Sequence, residues 1–267
     1  MNAALGSPLV QGASQSMLKF GCSPSGETYL AEQLLRFPYH ITRVHRATAA
    51  AARADLCLQT LGGGLVEGDN IRLAVDLGIG TRVKLTTQSA TKVHSMRGGR
   101  ASQEITLSVN SGAWLEYLPK PLILFPDSDS GNITRVRLAG DAGAVVVDAF
   151  YRFDPSGAGR PPLAFSNTVE VFDGDDRLLV RDAMIATGSD FSRTFSRPGL
   201  DCQCGVFLLG SAGDAPGLKG LRYQTDQADL ACTRLPNNAG MCLRGFVAGP
   251  HALANLMDHV LVLLPGR

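Results

Sequence analysis

The chain has 267 residues, 45% hydrophobic and 18% charged, which is long enough for a substantial core and ordinary for a globular protein. Its 25 Lys and Arg nearly cancel 24 Asp and Glu. That balance gives no sign of the clustered basic charge a nucleic-acid-binding surface needs.

In chain order, residues 1–16 are small and polar and are expected to form a flexible N-terminal arm. They contain no basic flank leading into an apolar run, as a secretory signal would. Residues 17–267 are expected to form a single domain. Period-two alternation dominates from about residue 70 to 185. Ile71, Leu73, Val75 and Leu77 alternate with polar residues up to Gly78-Ile79-Gly80, and Val83, Leu85 and Thr87 repeat the pattern. Ile105, Leu107 and Val109 precede the turn signal Asn110-Ser111-Gly112, and a strand from Ala113 to Leu118 is closed by Pro119 and Pro121. Further strands are expected over 134–138, 144–150, 168–172 and 178–183, separated by Asp, Asn, Ser and Gly clusters that suit tight turns. Residues 210–227 read as a loop or short helix, 230–235 and 241–247 as strands, and 251–263 as a helix. The expected fold is mainly β, a large strand-rich domain of β-sandwich or β-helix-like form, with a small C-terminal part carrying one or two helices. The most apolar segment, Ala252 to Pro265, is too short to span a bilayer and is broken by Asp258 and His259. A cytoplasmic protein with no membrane partner is expected.

Two segments carry more polarity or apolarity than a plain strand needs. The turn Gly62-Gly63-Gly64-Leu65-Val66-Glu67-Gly68-Asp69 is followed by no Lys-Ser/Thr pair and leads into a strand, so it is not a phosphate loop. Its Glu67 and Asp69 offer hard oxygen acceptors. From Leu85 to His94, six residues carry hydroxyl, amide or ammonium groups, among them Thr87, Thr91 and Lys92. Either that run is a solvated face or its side chains converge on one place. The segment Ala113 to Pro126 is apolar and bracketed by prolines. It reads equally as core strand and edge, or as a partner-binding edge using Tyr117, Ile123, Leu124 and Phe125.

Signals for common catalytic sites are missing. No Gly-x-Ser-x-Gly elbow or His-Glu-x-x-His pair occurs, and a sugar groove is disfavoured by 6% aromatic content with one tryptophan. Six cysteines lack zinc-site spacing and are expected as free thiols. Cys202 and Cys204, two apart on a strand, face one side and are weak candidates for a soft metal. No second pair supplies the remaining ligands, so no tight metal site is expected.

Three ordered blocks, Gly63-Gly64-Leu65-Val66-Glu67-Gly68-Asp69, Leu85 to Val93, and Gly112 to Pro119 with Ile123-Leu124-Phe125, resemble the UreD (UreH) urease accessory proteins. Weaker likeness extends to residues 167–171 and 243–246. The resemblance implies a largely β fold with two helices and a non-enzymatic nickel-insertion chaperone. Such a protein binds the urease apoprotein and UreF, which recruits the GTPase UreG. Nickel passes in transit through an interior tunnel, with no cofactor tightly bound. The family's tunnel-associated polar positions fall on Asp69, Thr91 and Asp148, with Glu67, Thr87, Lys92 and His94 beside them as further conduit candidates. A transit path suits weak, exchangeable oxygen ligands, because tight His or Cys sites would trap the ion. This chain departs from the family pattern at His94 and Lys120, at Gly159-Arg160-Pro161-Pro162, and at Arg181, where an acid is usual and Asp182 follows one residue later. Two other classes are a metal-dependent hydrolase using Asp69, His94 and Asp148, and a stand-alone nickel-binding module.

Overall fold

The computed structural model describes residues 15–46, 52–194, 199–214 and 216–264. Of the expected N-terminal arm, residues 1–14 lie outside these, and Gln15 and Ser16 begin the first strand. The chain opens with β1 (Gln15–Cys22), β2 (Thr28–Leu34), β3 (Tyr39–His40), β4 (Val44–Arg46) and β5 (Ala54–Thr60). Next come β6 (Asn70–Leu77), β7 (Arg82–Thr87), β8 (Thr91–Val93), β9 (Ala101–Val109) and β10 (Trp114–Leu118). They are followed by β11 (Leu122–Leu124), β12 (Asp129–Leu138), β13 (Gly143–Arg152), β14 (Ala164–Asp173) and β15 (Leu178–Thr187). The last part holds α1 (Gly188–Thr194), β16 (Cys202–Gly210), β17 (Arg222–Thr225), β18 (Ala228–Arg234), β19 (Gly240–Val247) and α2 (Pro250–Val262).

These strands make two sheets. The seven-stranded one runs β15-β14-β12-β9-β6-β1-β2, and the twelve-stranded one follows the path β17-β18-β19-β16-β13-β10-β7-β5-β3. Between β5 and β14, apart from the short β8 and β11, which both join the larger sheet, the chain lays strands alternately in the two sheets. Each strand therefore pairs in parallel with the one from the previous turn: β6 with β9, β9 with β12, β7 with β10, β10 with β13. Parallel neighbours need a crossover, and here the crossover is a strand of the opposing sheet. The result is a β-solenoid-like coil, closed by antiparallel strands at β15, β16, β18 and β19.

Alternation in the sequence becomes alternation in burial. Leu73, Leu85, Ile105, Leu115, Phe165 and Phe207 fill the space between the sheets. On the outer face of the large sheet, Trp114, Val145, Val206 and Leu243 meet Leu253, Met257 and Val260 of α2. Pro250 starts that helix at its first turn, where a missing N–H costs nothing. Burying each such large side chain stabilises by about 1.5–3 kcal/mol.

The outer face of the smaller sheet carries a charge ladder. Arg72 stands opposite Glu104 on β6 and β9, and Arg135, Glu170 and Arg181 stand in register on β12, β14 and β15, with Arg135 reaching Glu104 on the diagonal, since its direct partner on β9 is Thr106. Arg135 bonds Glu104 and, at 2.9 Å, Glu170, which also lies 3.3 Å from Arg181. Opposite charges directly across neighbouring strands favour this register over a slipped one.

The sequence reading located β6, β7, β9, β10, β12–β15, β18, β19 and the C-terminal helix. It passed over β1–β5, β8, β11, β16 and α1, a helix of seven residues, and it read 210–227 as a loop or short helix where β17 forms a strand at Arg222–Thr225. Among the described residues no helix is long and apolar enough to cross a membrane, and all six cysteines are free.

Candidate functional site

Between the sheets the core is interrupted by polar side chains at inward positions. On the smaller sheet, Gln103, Asn132 and Asn167 stand side by side in register on β9, β12 and β14. Facing them on the larger sheet, Asp148, Gly205 and Arg244 share a row on β13, β16 and β19. Asn132 Nδ2 donates to Asn167 Oδ1 at 2.7 Å, and Asn167 Nδ2 donates to the Asp148 carboxylate. Gln103 Nε2 donates to the Tyr39 hydroxyl at 3.0 Å. Of these, Tyr39, Gln103, Asn132 and Asp148 border a cavity of about 40 Å³, lined also by Thr87, Thr91 and Tyr117. At about 10–15 Å³ per molecule, that is room for roughly three or four waters.

Electrostatics single out Asp148. Burial pushes its carboxyl up to about 6, while the Asn167 hydrogen bond and the Arg244 charge pull it down and Asp182 adds a small upward push. Near neutral pH the group is therefore closer to its protonated form than an exposed carboxylate is, and a cation binding there displaces whatever proton remains. Burial also raises both neighbouring phenols, Tyr39 to about 12 and Tyr117 further. Both therefore remain neutral hydroxyl dipoles in the physiological range. Arg244 Nη2 donates to Asp182 on the opposite sheet, and its guanidinium lies 5.7 Å from the Phe207 ring centre.

The structure gathers some of the sequence candidates and scatters others. Thr87, Thr91, Asp148 and Tyr117 come together at the cavity. Thr87 Oγ1 there accepts the Lys120 amide at 2.8 Å. Asp69 instead closes the glycine turn, where its Oδ2 accepts the Val66 amide at 2.8 Å. Glu67 accepts the amides of Arg97 and Gly99 at 2.6 and 2.9 Å and pins that loop. Lys92 is exposed, and its carbonyl accepts the Leu65 amide at 2.7 Å. His94 Nε2 lies 2.9 Å from the Gly63 carbonyl, with its ring edge-on to Phe125. Hence Asp69, His94 and Asp148 do not share a site. Among the described residues no group of three or more His, Cys, Asp or Glu is placed to hold a metal.

The partner-edge residues also divide. Tyr117 and Leu124 are buried in the core, which leaves Ile123 and Phe125 half-buried at the surface. Cys202 and Cys204 are buried and face the α2 side of the large sheet. Burial raises both thiols, Cys202 to about 12, and so suppresses the thiolate that a soft metal requires. Asp182 points into the inter-sheet interior, whereas Arg181 is exposed and lies 3.3 Å from Glu170.

Sequence reasoning missed Gln103, Asn132, Asn167 and Arg244. The available signal was an amide at an inward position of an otherwise apolar alternation, as in Phe165, Asn167, Val169 and Val171. Nothing in the sequence alone says which strands become neighbours, so the row itself was not visible.

A family model described as UreD urease accessory protein matches residues 13–266. Urease accessory protein UreD 1 of Pseudomonas syringae pv. syringae (strain B728a) is 31% identical over 266 residues, covering 96% of this chain and 93% of that protein. Urease accessory protein UreD 3 of Bradyrhizobium sp. (strain ORS 278) is 33% identical over 222 residues, covering 82% and 79%. Urease accessory protein UreD 1 of Methylorubrum extorquens (strain PA1) is 33% identical over 240 residues, covering 87% and 81%. A match across nearly the whole chain places the protein in the UreD urease accessory protein family.

Proposed function

We propose that this protein is a non-catalytic chaperone of urease maturation that holds the urease apoprotein together with UreF and UreG and lets nickel pass through its inter-sheet interior. The observation that carries this reading is the cavity at Asp148, where one ionised carboxylate meets the hydroxyls of Thr87, Thr91 and Tyr117 and the amides of Asn132 and Asn167. These are hard, neutral or singly charged oxygen donors, which suit a dication held briefly.

Size adds a constraint. The cavity holds roughly three or four waters, whereas a six-coordinate hydrated dication carries six. Cargo passing here sheds part of its water shell, and the Asp148 carboxylate with its neighbouring oxygens replaces the lost ligands. A buried charge of this kind offsets the cost of taking a dication out of bulk water.

The test is co-expression of urease subunits with variants of this chain, reading nickel per urease and capture of UreF separately. Asp148→Ala is expected to lower nickel loading several-fold and leave UreF capture intact. Full loading by that variant would sink the proposal. Asp69→Ala is a useful contrast, because Asp69 closes a turn. Its loss of loading should track the loss of folded protein.

A further inference from the structure

We propose that Arg244 is an internal counter-cation that keeps the place of the cargo ion beside Asp148, and so sets how loosely the interior holds a divalent metal. The inference rests on the cargo reading above and assigns a role to a residue outside the gathered candidates. Three observations carry it.

The first is register. Asp148, Gly205 and Arg244 occupy one inward row on three adjacent strands. A side chain at the middle position would separate the outer two. Gly205 has none, and a Cβ built there would lie 3.2 Å from Arg244 Nη2 and 3.2 Å from Phe207 Cε2. The glycine therefore leaves the slot in which the guanidinium lies, on the Asp148 side of its own strand.

The second is how the guanidinium is held. It donates across the interior to Asp182 of β15 and lies over the Phe207 ring, and its charge also acts on Asp148. One positive charge thus bonds Asp182 of the opposite sheet directly and acts on Asp148 through space. An arginine is suited to this place, because its charge is permanent and its planar group packs against an aromatic face.

The third is the balance of charge. With Arg244 in place, Asp148 and Asp182 carry a net charge of about −1 between them, the Arg244–Asp182 pair lying at the open end of the interior with side chains 38% and 31% exposed. A dication arriving at Asp148 meets a weakened field and a competing cation. It is released when the guanidinium reclaims the carboxylate. Without Arg244 the two carboxylates would act undiluted and retain the metal.

The experiment is equilibrium dialysis of the purified full chain against Ni²⁺, with bound metal measured by mass spectrometry. Arg244→Gln is expected to tighten nickel binding at least tenfold by the dissociation constant. Arg244→Lys, which restores the charge, should stay within about twofold of the parent, and Arg244→Gln combined with Asp148→Asn should fall back to the parent value. Parental affinity in Arg244→Gln overturns the proposal, as does a gain that survives in the double variant. Should Arg244→Gln fail to fold, Gly205→Ala takes its place, since the added Cβ displaces the guanidinium while its charge remains. A threefold or greater gain is expected there, and no gain overturns the proposal. Nickel loading by Asp148→Ala separates the two ideas. Lost loading with unchanged retention in Arg244→Gln removes the counter-cation and leaves the cargo route. Tighter retention with full loading does the reverse.

Discussion

Replacing Asp148 by asparagine should make the protein more stable at neutral pH. A carboxyl whose folded pKa is raised binds its proton more tightly in the folded chain than in the unfolded one. Its contribution to stability is greatest when both states are protonated, and it is lost as the pH rises through the interval between the two values. For Asp148 that interval runs from 3.8 to about 6. At 1.36 kcal/mol per unit, ionising Asp148 costs the fold about 3 kcal/mol once the pH is above both values. The Asp148→Asn substitution removes that cost and keeps an oxygen for the Asn167 amide to donate to. The Arg244 attraction is already contained in that value; burying the new asparagine N–H groups gives back part of the gain, so the net expectation is about 1–3 kcal/mol in favour of the variant at pH 7.5. The gap should narrow by about 2 kcal/mol at pH 4.5. Urea unfolding measures this directly, because Trp114 is the single tryptophan and is buried against α2. Groups elsewhere titrate alike in both proteins and cancel in the difference. A gap independent of pH, or a variant less stable at pH 7.5, would refute the reasoning and mean that the Asp148 carboxylate is solvated as if exposed. The same substitution should lower nickel loading, so stability and function are expected to move in opposite directions.

Other consequences are as direct. Gly64→Ala should destabilise by at least about 1–3 kcal/mol in the same urea assay, because Gly64 sits at φ +133° and a Cβ there would lie 2.3 Å from the Lys92 carbonyl oxygen. Arg135→Ala removes the centre of the outer charge ladder and should cost about 1 kcal/mol at low salt, with the loss shrinking in 1 M NaCl. Cys202 and Cys204 should resist a thiol reagent such as DTNB at pH 8 in the native protein and react on unfolding. Cys22 and Cys57, both half-buried, should react first.

How much of this was legible in the sequence depends on the range of the signal. Most strand positions between residues 70 and 187, with β18 and β19, follow from two-residue alternation, a local property, and α2 follows from helical spacing; β17, four exposed residues, carries no alternation and reads as loop. The choice between a sandwich and a coil is not local, since it depends on whether β9 pairs with β6 and β12 or with its chain neighbours. Asp69 shows the same limit in the site. Its acidic character beside glycines reads equally as a ligand or as a turn-closing acceptor, and only the 2.8 Å bond from the Val66 amide decides in favour of the turn. Asp182 shows it from the other side. One residue's shift along a strand exchanges the two faces, and the register of β14 with β15 places Asp182 opposite Val169 and so inward. The inward acid arises at that position and is neutralised by Arg244 from a strand sixty-two residues away. No window of sequence contains both partners, yet the Gly205 between Asp148 and Arg244 only makes sense when all three strands are seen together. The polar interior is in this respect a property of strand order, and its residues acquire their chemistry from neighbours that the coil brings alongside.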